Sequence, residues 1–285
     1  MNSLSRVLCT FALASASFLA PTAFAAPEAP AQTADFAAML SKGSAPMVTI
    51  KYILDSEGQE EENEVTGILI GSDGLVLASN FFFGGGRGSS GATPKDIKIL
   101  QGEDTTGLDA KFIARDTELA LAWLKLEKAP EKPLPFVDFS KNATAKVGDE
   151  VFAVRKMGKF FGHNFKVADG RICAAVTKPR DLLIPSTSMA TREDWALPVY
   201  NSAGEPIGVN TFILPEEDEM QNAKSNPLAG AEAGMILSAK DVAEATKRAL
   251  ENAANAPAEE KKEEPKEAPK DAPAEAPKTA PEQPK

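Results

Sequence analysis

The chain has 285 residues, of which 43% are hydrophobic, enough for one large core or two modest ones. Its formal net charge of −10 makes nucleic acid an unfavourable partner, because polyphosphate binding needs a basic surface. The sequence has one histidine, His163, and two cysteines, and these form no Cys/His cluster, so we expect no metal and no cofactor.

The first 25 residues have the pattern of a cleavable secretory signal peptide. Arg6 precedes the apolar run 7–19, and the small-residue site Ala23-Phe24-Ala25 follows. Polar residues and Pro21 interrupt the run, which makes a permanent transmembrane anchor the weaker alternative. We therefore expect an exported protein, periplasmic or secreted, with no membrane span after signal cleavage.

Cleavage at this site would leave Cys173 as the only cysteine of the mature chain. An internal disulfide could then not form, so stability would have to come from packing. Because Ile172 and Ala174 flank Cys173, we expect a small buried side chain there and not a reactive thiol.

After a short linker or helix over residues 26–45, residues 46–252 form one predicted domain. Short apolar runs alternate there with turn signals and show little helical periodicity, which predicts an all-β fold. The predicted strands are 47–53, 64–70, 75–79, 97–100, 111–114, 119–126, 151–155, 165–175, 182–185, 197–200, 206–212 and 234–236. This spacing favours two packed six-stranded β-barrels, at about 46–132 and 136–237, over a single sandwich.

The end of the chain divides into a helix and a tail. Ser238 can cap a helix over residues 238–252, which we expect to pack on the domain and close it. Its apolar positions recur at roughly helical spacing: Val242, Ala245, Ala249 and Leu250. Residues 253–285 consist almost wholly of Ala, Pro, Glu and Lys, so they have few apolar side chains to bury. This composition predicts a disordered, semi-stiff tail. This tail is either passive or an arm that docks on a partner.

Several segments stand in a distinctive order along the β-rich region. Residues 67–70 lead through the Asp73-Gly74 turn, typical of a tight hairpin, into 75–77. Asp116 then precedes 121–125, and residues 198–201 precede 204–211. Together these segments resemble the trypsin-like serine proteases, in particular their HtrA/Deg branch. The resemblance implies a trypsin-like pair of barrels and a C-terminal helix, without the PDZ domain that follows the protease in that branch.

The resemblance fails at the catalytic positions. The family uses a histidine as base, an aspartate to orient it and a serine as nucleophile. Gap-free counting puts the base position at Phe81, the orienting position at Ala120 and the nucleophile position at Trp195. A shifted alignment offers Glu118 as the orienting residue instead. We therefore expect an inactive serine protease homologue, with no catalytic residue.

The backbone near the nucleophile position departs from the family as well. Glycines there let N–H groups turn toward the substrate oxygen, and Glu193, Ala196 and Leu197 replace them. His163 lies far along the chain from the base position, so we interpret it as a loop histidine, satisfied or facing solvent.

Our first functional hypothesis is that the protein binds an unfolded polypeptide without cleaving it. Trypsin-like folds hold substrate as an added strand through backbone hydrogen bonds, and these survive loss of the triad. Phe81 and Trp195 would meet in the substrate cleft, either as an apolar floor for a ligand or as filler that closes it. Asp194 and Ala196, which flank Trp195, are further candidates for peptide contacts.

Two other hypotheses remain. In one, the protein is a structural or regulatory subunit that docks on another envelope protein. In the other, it is an active peptidase with rearranged catalytic groups, for which Ser186, Ser188 and Lys178 would be available.

Overall fold

The computed structural model describes most of the predicted domain and the helices on either side. The described residues are 35–56, 59–84, 93–102, 104–141, 143–178, 180–186, 189, 191, 194–212 and 234–255. The predicted signal peptide and residues 256–285 of the predicted tail lie outside them.

Six antiparallel strands close the first barrel in the order β1-β2-β3-β6-β5-β4. They are β1 (Met47–Ser56), β2 (Gln59–Leu69), β3 (Leu75–Ser79), β4 (Lys95–Gln101), β5 (Leu108–Asp116) and β6 (Leu121–Leu126). Each predicted strand of this half is present. The β1–β2 ladder runs further than predicted, with Leu54 opposite Glu61, because backbone pairing does not require a buried side chain.

The second barrel closes in the order β10-β11-β12-β9-β8-β7. Its strands are β7 (Glu150–Lys156), β8 (Phe165–Val176), β9 (Leu182–Pro185), β10 (Pro198–Asn201), β11 (Pro206–Thr211) and β12 (Met235–Ser238). The predicted fold class, two six-stranded barrels with a C-terminal helix, is confirmed.

Helix α1 (Phe36–Ser44) packs against the second barrel ahead of the first strand. Asp35 caps it, since its side chain accepts hydrogen bonds from the amides of Ala37 and Ala38. The helix lies close to the barrel at Gly43, where an added Cβ would stand 2.3 Å from Cγ2 of Val154.

Helix α2 (Ala239–Asn255) joins the two barrels through one apolar cluster. Val242 and Ala245 pack in this cluster, and the buried Trp123 of the first barrel donates to the Thr246 hydroxyl at 3.0 Å. The Ser238 hydroxyl accepts from the Asp241 amide at 3.1 Å, as expected of a cap. Neither helix within the described part of the chain is long and apolar enough to cross a membrane.

Two predicted core positions are wrong. Cys173 is exposed, because Ile172 points into the barrel and neighbouring residues of a strand face opposite sides. Leu250 is 40% exposed, because it stands about 100° around the helix from the buried Ala249. The apolar neighbours of Cys173 and the apolar character of Leu250 itself each indicated the wrong side of the element.

Candidate functional site

Phe81, the residue predicted at the base position, lies on a 3₁₀ helix that follows β3. The hydroxyl of Ser79 accepts a hydrogen bond from the Phe81 amide at 3.4 Å and caps the helix Asn80–Phe83. Phe83 is fully buried in the first barrel, whereas Phe81 and Phe82 are half-buried. The short helix therefore leaves two rings available for contact with the second barrel.

Four half-buried aromatic side chains meet between the barrels, and we call them the aromatic cluster: Phe81, Phe82, Trp195 and Phe212. The ring centroids of Phe81 and Trp195 are 5.0 Å apart, edge to face, with an interplanar angle of 82°. The ring of Phe212 stacks on that of Trp195, with centroids 5.0 Å apart and an interplanar angle of 19°. Aromatic pairs at such distances and angles attract one another beyond their burial. The structure thus brings together the rings of Phe81 and Trp195, the residues predicted at the base and nucleophile positions.

The orienting position, Ala120, lies at the turn between β5 and β6. Its carbonyl accepts a hydrogen bond from the Asn80 amide at 2.9 Å, which places it beside the base position. Ala120 has φ 56°, a left-handed conformation that is uncommon for a non-glycine residue. The alternative, Glu118, has a side chain that is 83% exposed, with its carboxylate 3.5 Å from Arg180. The side chain at the predicted orienting position is therefore a methyl group, which cannot orient a base.

An ion pair holds the turn that carries Trp195. Asp194 is 1% exposed, and its Oδ2 lies 2.6 Å from Nη2 of Arg155 on β7. The same oxygen accepts from the amide and the hydroxyl of Thr191, at 3.1 Å and 2.7 Å. Charge-assisted hydrogen bonds of this kind are the strong ones in proteins. Asp194 thus fixes the turn by contacts within the protein.

Ala196, which follows Trp195 in this turn, is also buried, at 2% exposure. It has φ 64°, and its amide donates to the Asn210 carbonyl on β11 at 2.7 Å. The backbone N–H of this residue is therefore used inside the fold. Direct contacts of Phe81, Trp195, Asp194 or Ala196 with a peptide stay predictions, and of the four only Phe81 and Trp195 are more than marginally exposed.

A cavity of about 700 Å³ opens between the two barrels beside the aromatic cluster. The first barrel contributes residues of β1 and β2, among them Thr49 and Glu64, and Phe82 contributes from the aromatic cluster. The second barrel contributes the turn at Asp194 and the hairpin 157–164 that connects β7 to β8. Pockets of this size accommodate small ligands or short peptide segments.

The hairpin and the ends of β7 and β8 beside it place several basic side chains on this cavity. Lys156, Lys159, His163 and Lys166 all line it. Lys156 donates to the Thr49 hydroxyl across the barrel interface, and burial lowers the pKa of its ammonium group. His163 is half-exposed in a turn, with φ 55°, as the prediction of a loop histidine requires.

Two of the groups named for a rearranged peptidase, Ser186 and Lys178, lie within the described residues. Ser186 follows β9, and its hydroxyl accepts from the Arg171 amide at 3.3 Å, while Lys178 is exposed. Ser188 lies outside the described residues. Within the described ranges, no group of three or more His, Cys, Asp or Glu side chains is arranged to hold a metal ion.

Sequence reasoning missed three partners of the site: Phe212, Arg155 and the lysines of the hairpin. Phe212 was predicted only as the last residue of a strand, and Arg155 as part of another. The hairpin and the strand ends beside it, from Lys156 to Lys166, carry three lysines and three phenylalanines, and this unusual composition was a signal that could have pointed to a surface site. No comparable local signal marks Arg155 as the partner of Asp194, which is 39 positions away in the numbering.

Comparison with known families gives one match. Residues 65–209 match the family described as the trypsin-like peptidase domain, which is about half of the chain and spans parts of both barrels.

Curated relatives carry the name "Probable periplasmic serine endoprotease DegP-like". The protein from Brucella suis biovar 1 (strain 1330) is 31% identical over 153 residues, which cover 52% of this chain and 27% of that protein. The protein from Rickettsia conorii (strain ATCC VR-613 / Malish 7) is 34% identical over 161 residues, covering 52% and 28%. This chain therefore matches little more than a quarter of the length of these relatives.

Among solved structures, the crystal structure of the serine endoprotease from Yersinia pestis is similar to this chain with a TM-score of 0.50. The similarity covers 75% of this chain and 66% of that chain, at 16% sequence identity. It supports the arrangement of the fold.

Proposed function

Because this chain belongs to the family of trypsin-like peptidase domains, we propose that it uses the family's fold to bind extended polypeptide without cleaving it. The observation that carries the proposal is the contact between Phe81 and Trp195, at 5.0 Å between ring centroids. These residues occupy the base and nucleophile positions. A phenyl ring cannot accept a proton, and an indole offers no hydroxyl for attack on a carbonyl. Ala120, at the third position, has no group that could orient a base.

Polypeptide binding does not depend on those three groups. Folds of this kind can hold an extended chain through backbone hydrogen bonds at a strand edge, with pockets for alternate side chains. The cavity between the barrels is supporting evidence, because it lies beside the aromatic cluster and offers room for side chains of a bound segment. The half-buried rings of the cluster provide an apolar surface in the same place.

We place this function in the periplasm. The amino-terminal sequence has the pattern of a secretory signal, and the relatives are named as periplasmic proteins. The proposed ligands are therefore unfolded or extended segments of envelope proteins.

A cleavage assay tests the loss of activity. The chain without residues 1–25 should leave casein and a peptide library uncut, and a fluorophosphonate probe should label no serine. The variant Phe81→His/Ala120→Asp/Trp195→Ser, assayed in parallel, tests whether a substrate still binds in the cleft in a position where restored catalytic groups can cleave it. Cleavage or serine labelling by the natural protein would refute the proposal and favour the rearranged peptidase.

Peptide binding itself is measured separately, by fluorescence anisotropy with labelled unfolded segments. Saturable binding by the natural protein, with no cleavage product, is the expected result. Absence of binding to every segment in the library would refute polypeptide binding.

One observation favours a second candidate, a subunit that docks on another envelope protein. Trp195 lies in contact with both Phe81 and Phe212, so the rings pack against one another where a substrate would have to enter. Pull-down from an envelope extract separates the two candidates. Many unrelated unfolded clients support polypeptide binding, whereas a single partner at a fixed stoichiometry supports docking.

A further inference from the structure

The cavity between the barrels has a charge opposite to that of the whole protein. Arg155 and Asp194, which both line it, neutralise each other. The remaining charged lining residues include three lysines and one glutamate, Glu64. Within a chain of net charge −10, the cavity is thus a local concentration of positive charge. Such a concentration favours anionic ligands and repels cationic ones.

The three lysines, Lys156, Lys159 and Lys166, form no ion pair with any other described residue. Lys156 is the deepest of them, since its ammonium group reaches Thr49 of the first barrel. Burial lowers the pKa of that group, and nearby Glu64 opposes the effect only in part. An added carboxylate would lower the free energy of the charged lysine.

An apolar surface borders these cations. Phe161 lines the cavity, and Phe160 packs edge to face on it, with ring centroids 5.1 Å apart. Phe160 is 93% exposed and Phe161 57% exposed, although large aromatic side chains are usually covered. Exposed aromatic rings beside cations suit a ligand that combines carboxylates with apolar side chains.

We propose that this cavity binds acidic segments of extended polypeptide, with carboxylates at Lys156, Lys159 and Lys166 and an apolar side chain against Phe160 and Phe161. This inference rests on the proposed polypeptide binding and names the class of peptide that is preferred.

An anionic membrane is the competing occupant, since aromatic rings with lysines also bind lipid surfaces. The position of the cations favours a peptide. All three lysines line a recess between two barrels, where a flat headgroup layer does not reach, and a narrow extended chain does. The exposed rings of Phe160 and Phe161 could meet a bilayer, whereas the ammonium group of Lys156 lies deeper, at Thr49 of the first barrel.

The test uses three labelled decapeptides of equal length with one central Phe: one with four Glu, one with four Gln and one with four Lys in place of the Glu. We expect the acidic peptide to bind at least about fivefold more tightly than the Gln peptide at low salt, and the Lys peptide to bind most weakly. The preference should shrink as salt is raised, because exposed charge pairs are screened.

The variant Lys159→Gln/Lys166→Gln should lose most of the preference, with affinity for the acidic peptide reduced about three- to tenfold and affinity for the Gln peptide unchanged. The matched control is Lys111→Gln/Lys132→Gln, which removes two exposed lysines outside the cavity and should keep the preference. A preference lost equally in both variants would reflect net charge alone and overturn the inference.

Other outcomes also decide the matter. Equal affinity for the acidic and Gln peptides would overturn the acidic preference and leave the proposed polypeptide binding intact, whereas no binding to any peptide would overturn both. Displacement of the acidic peptide by millimolar citrate, with citrate alone bound as tightly, would assign the cavity to small anions. Co-sedimentation with vesicles of phosphatidylglycerol, lost in Lys159→Gln/Lys166→Gln, would assign it to a membrane surface.

Discussion

The ion pair between Arg155 and Asp194 should contribute strongly to stability, because both side chains are withdrawn from water. They are 12% and 1% exposed, and their closest atoms, Nη2 and Oδ2, are 2.6 Å apart. Thr191 adds two hydrogen bonds to the same carboxylate oxygen. Arg155→Met would take away the charge that compensates a buried carboxylate. Loss of one partner of such a pair costs about 3–5 kcal/mol in free energy of unfolding.

Urea unfolding, followed by tryptophan fluorescence and circular dichroism, measures this loss. With a slope of about 2 kcal/mol per molar urea, Arg155→Met should unfold at roughly 1.5–2.5 M less urea than the natural protein. The matched control is Arg171→Met, which breaks an ion pair to Glu150 between side chains that are 61% and 44% exposed. Such exposed pairs contribute about 1 kcal/mol or less, so the control should stay near the natural midpoint.

The double variant Arg155→Met/Asp194→Asn completes the cycle. Because it removes both charges, it should be more stable than the sum of the two single losses implies. An Arg155→Met midpoint equal to that of Arg171→Met would refute the argument from burial. A double variant as unstable as the two single variants added together would refute the coupling of the two residues.

Two further predictions concern elements that hold the site. Gly43→Ala should destabilise the protein by about 1–3 kcal/mol in urea unfolding, because its Cβ would stand 2.3 Å from Val154, and adding Val154→Ala should restore part of the loss. Burial raises the pKa of Tyr52 to about 12, while its hydroxyl donates to the Phe82 carbonyl at 2.5 Å. Since the unfolded value is about 10, the protonated form favours the fold, so stability should fall as the pH rises from about 10 to 12. Tyr52→Phe should make stability less dependent on pH in that range, and an unchanged dependence would show that other groups cause it.

The order and number of the strands could be predicted from sequence because they depend on local pattern. Alternating apolar runs such as 47–53 and tight turns such as Asp73-Gly74 act over a few residues. The helix start at Ser238 is equally local, since a cap needs only its own hydroxyl and the amides that follow. Counting along the family pattern predicts which residues stand at the three catalytic positions, and that assignment stays a prediction.

Adjacent residues were harder to assign to the correct side. Cys173 was predicted as core because of its apolar neighbours, and Leu250 because it belongs to the apolar pattern of the helix, yet both are exposed. The side that a strand or helix residue faces depends on register and rotation, and these are set by what the element packs against.

The sequence by itself determined a double barrel, and it predicts aromatic rings at the base and nucleophile positions. Tertiary structure alone decided that Phe212 stacks on Trp195, that Arg155 neutralises Asp194 and that lysines in and beside one hairpin line a cavity against the other barrel. These contacts join residues that are distant along the chain. The positions of these residues relative to one another depend on how the two barrels close and pack, and no short-range pattern in the sequence encodes that packing.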